Sequence, residues 1–105
     1  MATLPDVNAQ HRFEILVKRW KQERRATSLV HEMCTTPSYQ MIIGMGPVAV
    51  PLILQELAKQ PDHWTWALMA ITGEDPVDPE HYGDVEAMAM DWLAWGRHSQ
   101  TARLL

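Results

Sequence analysis

Residues 42–76, IIGMGPVAVPLILQELAKQPDHWTWALMAITGEDP, read as two short amphipathic helices fenced by glycine and proline. Gly44 and Gly46 tolerate the positive φ that ends a helix. Pro47 or Pro51 suits the first turn of the next helix, where a missing N–H leaves no bond unmade. Val50, Ile53, Leu54 and Leu57 then recur at helical spacing on one inward face. Pro61–Asp62 stops that helix and offers Asp62 as the cap of another, along which Trp64, Ala67, Leu68 and Ile71 repeat the apolar pattern until Gly73. Two such helices joined by a short loop predict a helical hairpin over 47–72. Trp66 falls off its stripe.

On the N-terminal side, Phe13, Leu16, Val17 and Trp20 stand at the i, i+3, i+4, i+7 spacing of one face. They predict the longest helix over 6–25, capped by Asp6 and ending in basic residues that oppose the helix dipole. Residues 28–34 (SLVHEMC) predict a short helix capped by Ser28, and Thr36–Pro37 predicts an N-cap and first helical residue before a brief helix through Tyr39 to Ile43. On the C-terminal side, residues 73–84 (GEDPVDPEHYGD) predict an ordered surface loop. A last helix is expected from Asp84 to Arg97, with Val85, Met88, Ala89 and Trp92 inward, Leu93 or Trp95 at the margin, and Gly96 at its fraying end.

No alternating pattern of useful length and no Asn-Gly or Asp-Gly hairpin signal appears, so the class expected is all-α. The architecture expected is one compact bundle of about five short helices over residues 1–105, with flexible tails at 1–5 and 98–105. Ile53, Leu57, Trp64, Leu68, Ile71 and Trp92 are its expected principal core.

The segment GPVAVPLILQEL (46–57) resembles the second-helix pattern of HEAT-type repeats, in which a small residue, Val-Pro and then leucine-rich positions recur. The likeness covers one repeat, whereas a solenoid stacks at least three. The longer string IIGMG, AVPLIL, PDHW, WAL, AITGEDPV and WL to WG over 39–96 is similar to a small uncharacterised bacterial all-helical family. That resemblance implies a fold and brings no mechanism.

Five tryptophans in 105 residues, with 47% hydrophobic and 21% charged residues, suffice for a small folded core. One cysteine, Cys34, excludes an internal disulfide, and MATLPDVNAQ lacks the basic and apolar blocks of a signal peptide, so a cytoplasmic location is expected. No apolar run approaches the roughly 20 residues that span a bilayer, and no membrane association is expected.

Catalytic and ligand patterns are sparse. His31 and Cys34 share i, i+3 spacing, but two ligands do not complete a zinc site. Cys34 with a distant histidine is a pairing that most chains of this composition offer, and a part-buried structural thiol is the plainer reading. The carboxylates of Glu74, Asp75, Asp78 and Glu80 lack the alternation of a calcium loop. GMG at 44–46 has neither the strand nor the third glycine of a dinucleotide fingerprint. No enzymatic activity, metal or cofactor is therefore expected.

Charge is uneven. Six of the nine basic residues (Arg12, Lys18, Arg19, Lys21, Arg24, Arg25) precede residue 26, whereas Glu74, Asp75, Asp78, Glu80, Asp84 and Glu86 crowd one later segment. Exposed tryptophan and arginine mark protein interfaces. The expected partner surface is therefore Arg19, Arg24, Arg25, Trp66, Trp95, Glu74 and Asp75, in a protein-interaction module of a bacterial regulatory, antitoxin-like or immunity-like kind. Two alternatives stand beside it. VKRWKQERR at 17–25 would give weak nucleic-acid contact through phosphates, and an enzyme reading would need Cys34 or the 74–80 carboxylates to act in catalysis.

Overall fold

The computed structural model describes residues 7–104, with side chains through Ser99, and is all-helical over them. Six α-helices and three short 3₁₀ turns follow one another among the described residues, without a strand. Helix α1 runs Val7–Glu23 and buries Phe13, Leu16, Val17 and Trp20, the stripe read from its spacing. The expected cap Asp6 lies outside the described residues.

After a 3₁₀ turn at Arg24–Ala26 comes α2, Val30–Cys34. Its start is not organised by Ser28. Thr27 Oγ accepts from the Leu29 amide (3.1 Å) and donates to Glu32 (2.8 Å), so the turn closes one residue earlier than expected. Thr36 and Pro37 open α3 (Pro37–Gly44) in the expected order, but Thr36 gives its hydroxyl to the Met33 carbonyl. The amide and hydroxyl of Ser38 instead donate to the Glu23 carboxylate, at 3.1 and 2.7 Å. The end of α1 thus supplies an anion to the start of α3, where free N–H groups favour it.

A 103° bend separates α3 from the helical segment that follows. Gly46, at φ 75°, opens the 3₁₀ turn Gly46–Val48 that leads into α4, Ala49–Lys59. Helix α5, Thr65–Thr72, ends on Gly73 at φ 72°, the left-handed cap that glycine adopts without strain. Asp62 does not cap α5: Trp64 takes that position, and Asp62 holds the His63 amide (2.8 Å) and Arg24. A 3₁₀ turn at Pro79–His81 precedes α6, Val85–Leu104, so residues 98–104 continue the helix where a tail was expected. At 20 residues α6, not α1 with its 17, is the longest.

Gly96 is buried within α6, not at a fraying end. A Cβ there would come within 2.7 Å of Leu54 Cδ1, so glycine lets α6 lie close on α4. Helix α4 packs more extensively on α6 than on α5, while α3 joins α1 to α5. Trp20 centres the aromatic core, with ring centroids 4.6 Å from Trp64 and 5.2 Å from Tyr39. Ile53, Leu57, Trp64, Leu68 and Trp92 are buried as expected, whereas Ile71 is half-buried at its edge. No single helix among the described residues is long and apolar enough to cross a membrane.

Candidate partner-binding site

Trp66 lies on the outer side of α5 because its neighbours Ala67 and Leu68 turn into the core. Its ring meets His31 of α2, with centroids 5.4 Å apart and planes tilted by 45°. Beside it, Val30 from α2 and Val85 and Met88 from α6 wall a cleft of ≈ 70 Å³ that Cys34, His63 and Thr65 also line. Leu29, next to Val30, is 60% exposed, Val30 46% and Trp66 38%. Three separate elements therefore bring apolar groups to one part of the surface.

The wall of this cleft is fixed from beneath. Tyr39 donates its hydroxyl to the His63 carbonyl (2.9 Å) and accepts from the Ala67 amide (2.9 Å), tying α3 to both sides of Trp64. Burial pushes the Tyr39 phenol far above its usual value, so it stays protonated and keeps donating. Cys34 contacts the same His63 carbonyl through sulfur at 3.9 Å. Burial likewise raises its pKa, which keeps it a thiol at neutral pH and a weak nucleophile.

Arg24 does not stand free on the surface. Its guanidinium grips Asp62 through both nitrogens, at 2.7 and 3.0 Å, and lies 4.2 Å from the centroid of the Trp20 ring. This pairing, with cation–π stacking, fastens the end of α1 to the turn before α5. Arg19 and Arg25 remain exposed. Lys21 and Arg25 line an open hollow with Arg24, Thr27 and Met33, and this hollow meets the Trp66 cleft at Asp62 and His63.

Trp95 occupies a different setting from Trp66. It packs edge-on against Trp92, with centroids 5.3 Å apart, and donates its Nε1–H to Glu74 (3.2 Å). Asp75 accepts from the Val77 amide (3.1 Å) and from the Tyr82 hydroxyl, which raises the Tyr82 pKa. Further along, Asp78 caps the 3₁₀ turn through the Glu80 amide (2.9 Å), and Asp84 caps α6 through the Ala87 amide (3.1 Å). Asp91 accepts from the Asp78 amide (3.1 Å) and pairs with His81 at 2.6 Å. That bond raises the His81 pKa and lowers that of Asp91.

Of the residues expected at a partner surface, Trp66 borders the cleft, Arg24 and Arg25 line the adjoining hollow, and Arg19 is exposed on α1. Trp95, Glu74 and Asp75 form a separate group that holds the 74–84 loop in place. Sequence reasoning did not single out Val30, Val85 and Met88 as members of this surface. Of the stripe expected inward on α6, Ala89 and Trp92 are buried and Met88 packs against the core, whereas Val85 is half-buried and lines the opening with Met88. A five-residue helix like α2 is too short for periodicity to show which face is outward. Among the described residues no group of three or more His, Cys, Asp or Glu side chains is arranged to hold a metal ion. Comparison with known protein families, curated proteins and solved structures finds no match to this chain.

Proposed function

We propose that this chain is a non-catalytic protein-interaction module, of the regulatory, antitoxin-like or immunity-like kind found in bacterial intracellular assemblies. The observation that carries the proposal is the exposed Trp66 ring, bordering an apolar cleft that the exposed Val30 also lines. Apolar groups gathered around a tryptophan are costly to leave in water, and tryptophan is enriched among the few residues that dominate protein interfaces.

The test is a photo-crosslinking residue placed at position 66 and, as a control, at the exposed Met90, followed by reconstitution of the captured protein with purified chain. Capture specific to position 66 is expected. Trp66→Ala should then weaken the reconstituted complex by about 2 kcal/mol or more while leaving the unfolding midpoint within a few degrees. A captured protein whose reconstituted affinity ignores Trp66→Ala would refute the assignment.

A second reading, a nucleic-acid-binding accessory, is favoured by one observation: Lys18, Arg19, Lys21 and Arg25 are all exposed along α1 and the turn after it. Cations without a base-reading element give weak, salt-dependent binding. Sequence-selective, sub-micromolar binding in an anisotropy titration at physiological salt, lost on Arg25→Ala, would put this reading first.

A further inference from the structure

The apolar cleft beside Trp66 and the basic hollow of Lys21 and Arg25 meet at Asp62 and His63. We infer that together they receive an acidic peptide segment bearing one branched aliphatic side chain, the aliphatic group entering the cleft and its flanking carboxylates meeting Lys21 and Arg25. This rests on the reading that the Trp66 face binds a protein, and it specifies the chemistry of that protein's contact segment.

The charge of the hollow selects the sign of the ligand. Arg24 is neutralised by Asp62, whereas no ion pair is formed by Lys21 or Arg25 among the described residues. The lining thus carries three cations against the one carboxylate of Asp62, with Glu32 beyond Thr27 at its edge, and an incoming carboxylate meets in Lys21 and Arg25 cations that need not abandon an existing partner. Paired Arg24 contributes by holding the turn between the two hollows in place.

The cleft selects the side chain. Its ≈ 70 Å³ is several times the roughly 10–15 Å³ that admits a single water, room for a small aliphatic group. Val30, Val85 and Met88 supply apolar walls, and the Cys34 thiol is already directed to the His63 carbonyl. A nucleobase would set several hydrogen-bonding edges against the apolar walls of Val30, Val85 and Met88, with Asp62, His63 and Thr65 on the lining to meet only some of them. An aliphatic side chain brings no polar group of its own that needs a partner against Val30, Val85 and Met88, which favours an acidic peptide over a single-stranded nucleic acid.

The experiment is a ¹⁵N heteronuclear titration of the full chain, reading the Trp66 indole N–H. The probe is the peptide acetyl-Glu-Asp-Leu-Asp-Glu-amide. Its comparators are the same peptide with glycine for leucine, the same with lysine for each acidic residue, and an oligothymidine. Saturable movement of the Trp66 signal with the acidic leucine peptide is expected. Its affinity should fall at least fivefold with the glycine peptide, with Lys21→Glu plus Arg25→Glu, and on raising salt, while the lysine peptide leaves the signal unmoved. Thermal melts verify that the charge-reversed protein folds, and Lys21→Gln plus Arg25→Gln replaces it if it does not. Absence of saturable binding, indifference to leucine or to the two cations, or equal binding of the lysine peptide would overturn the proposal. Tighter binding of oligothymidine at Trp66 would overturn it in favour of nucleic acid, and concentration-dependent movement of Trp66 without peptide would assign the cleft to a second copy of the chain. If the peptides fail but the partner crosslinked through position 66 still depends on Trp66, the chemistry assigned here is wrong and the interaction reading stands.

Discussion

The stretch from Arg12 to Arg25 holds six basic residues and the stretch from Glu74 to Glu86 six acidic ones, yet the fold uses them differently. In the acidic segment, Asp75, Asp78 and Asp84 accept backbone amides, and Glu74 holds the Trp95 indole. In the basic run, Arg24 is committed to Asp62, while Lys18, Arg19, Lys21 and Arg25 stay exposed. The difference is chemical. Short carboxylates sit next to the free N–H groups of turns and helix starts, which they satisfy locally, whereas long basic side chains extend past the backbone and seek partners beyond it. Four of the six acidic residues are therefore tied into the architecture, with Glu80 and Glu86 exposed beside them, while the basic stretch is mostly left available.

The comparison breaks most visibly at Arg24. Arg24→Ala strands the part-buried Asp62 carboxylate and uncovers the Trp20 ring, and chemical denaturation should register a loss of about 2–3 kcal/mol. A loss below half of that would place Arg24 with the exposed cations. In the acidic segment, Asp84→Ala removes the cap on the Ala87 amide and should cost about 1 kcal/mol, with Asp84→Asn largely restoring it. Equal losses for alanine and asparagine would mean that charge, not capping geometry, matters there.

A smaller effect follows pH. The bond to Asp91 raises the His81 pKa above its ordinary 6.5, so its contribution is complete below 6.5 and is lost as pH rises through the raised value. The same bond lowers the Asp91 pKa below its ordinary 3.8, so its contribution is present above 3.8 and fades as pH falls through the lowered value. Between those limits the 78–91 contact is firmest, and amide exchange at Asp78 should be slowest there relative to a His81→Phe variant. An exchange ratio that stays flat with pH would detach the loop from this pair. Smallest of all, Arg25→Ala and Lys18→Ala should each change stability by less than about 0.5 kcal/mol, as exposed charges without partners do. A larger loss in thermal or urea unfolding would mean that the basic face is as structural as the acidic one.

What the sequence determined by itself was short-range: the all-helical class, the buried stripe of α1, the Thr36–Pro37 start of α3 and the stop at Gly73. Each depends on residues within a turn or two of one another, where periodicity and capping chemistry are legible. Tertiary structure decided the rest. Glu23 serves α3 from 15 residues away, and Arg24 meets Asp62 across 38. Gly96 is read as a helix end until Leu54 is seen packed against it, because glycine signals both chain freedom and close approach. The separation of Trp66 from Trp95 has the same origin: both lie off or at the edge of an apolar stripe, but the returning 74–84 loop gives Trp95 a hydrogen-bond partner, while α2 and α6 place an apolar cleft beside Trp66. Helical spacing tells which side chains leave the local face, and only the packing of distant segments determines what they meet.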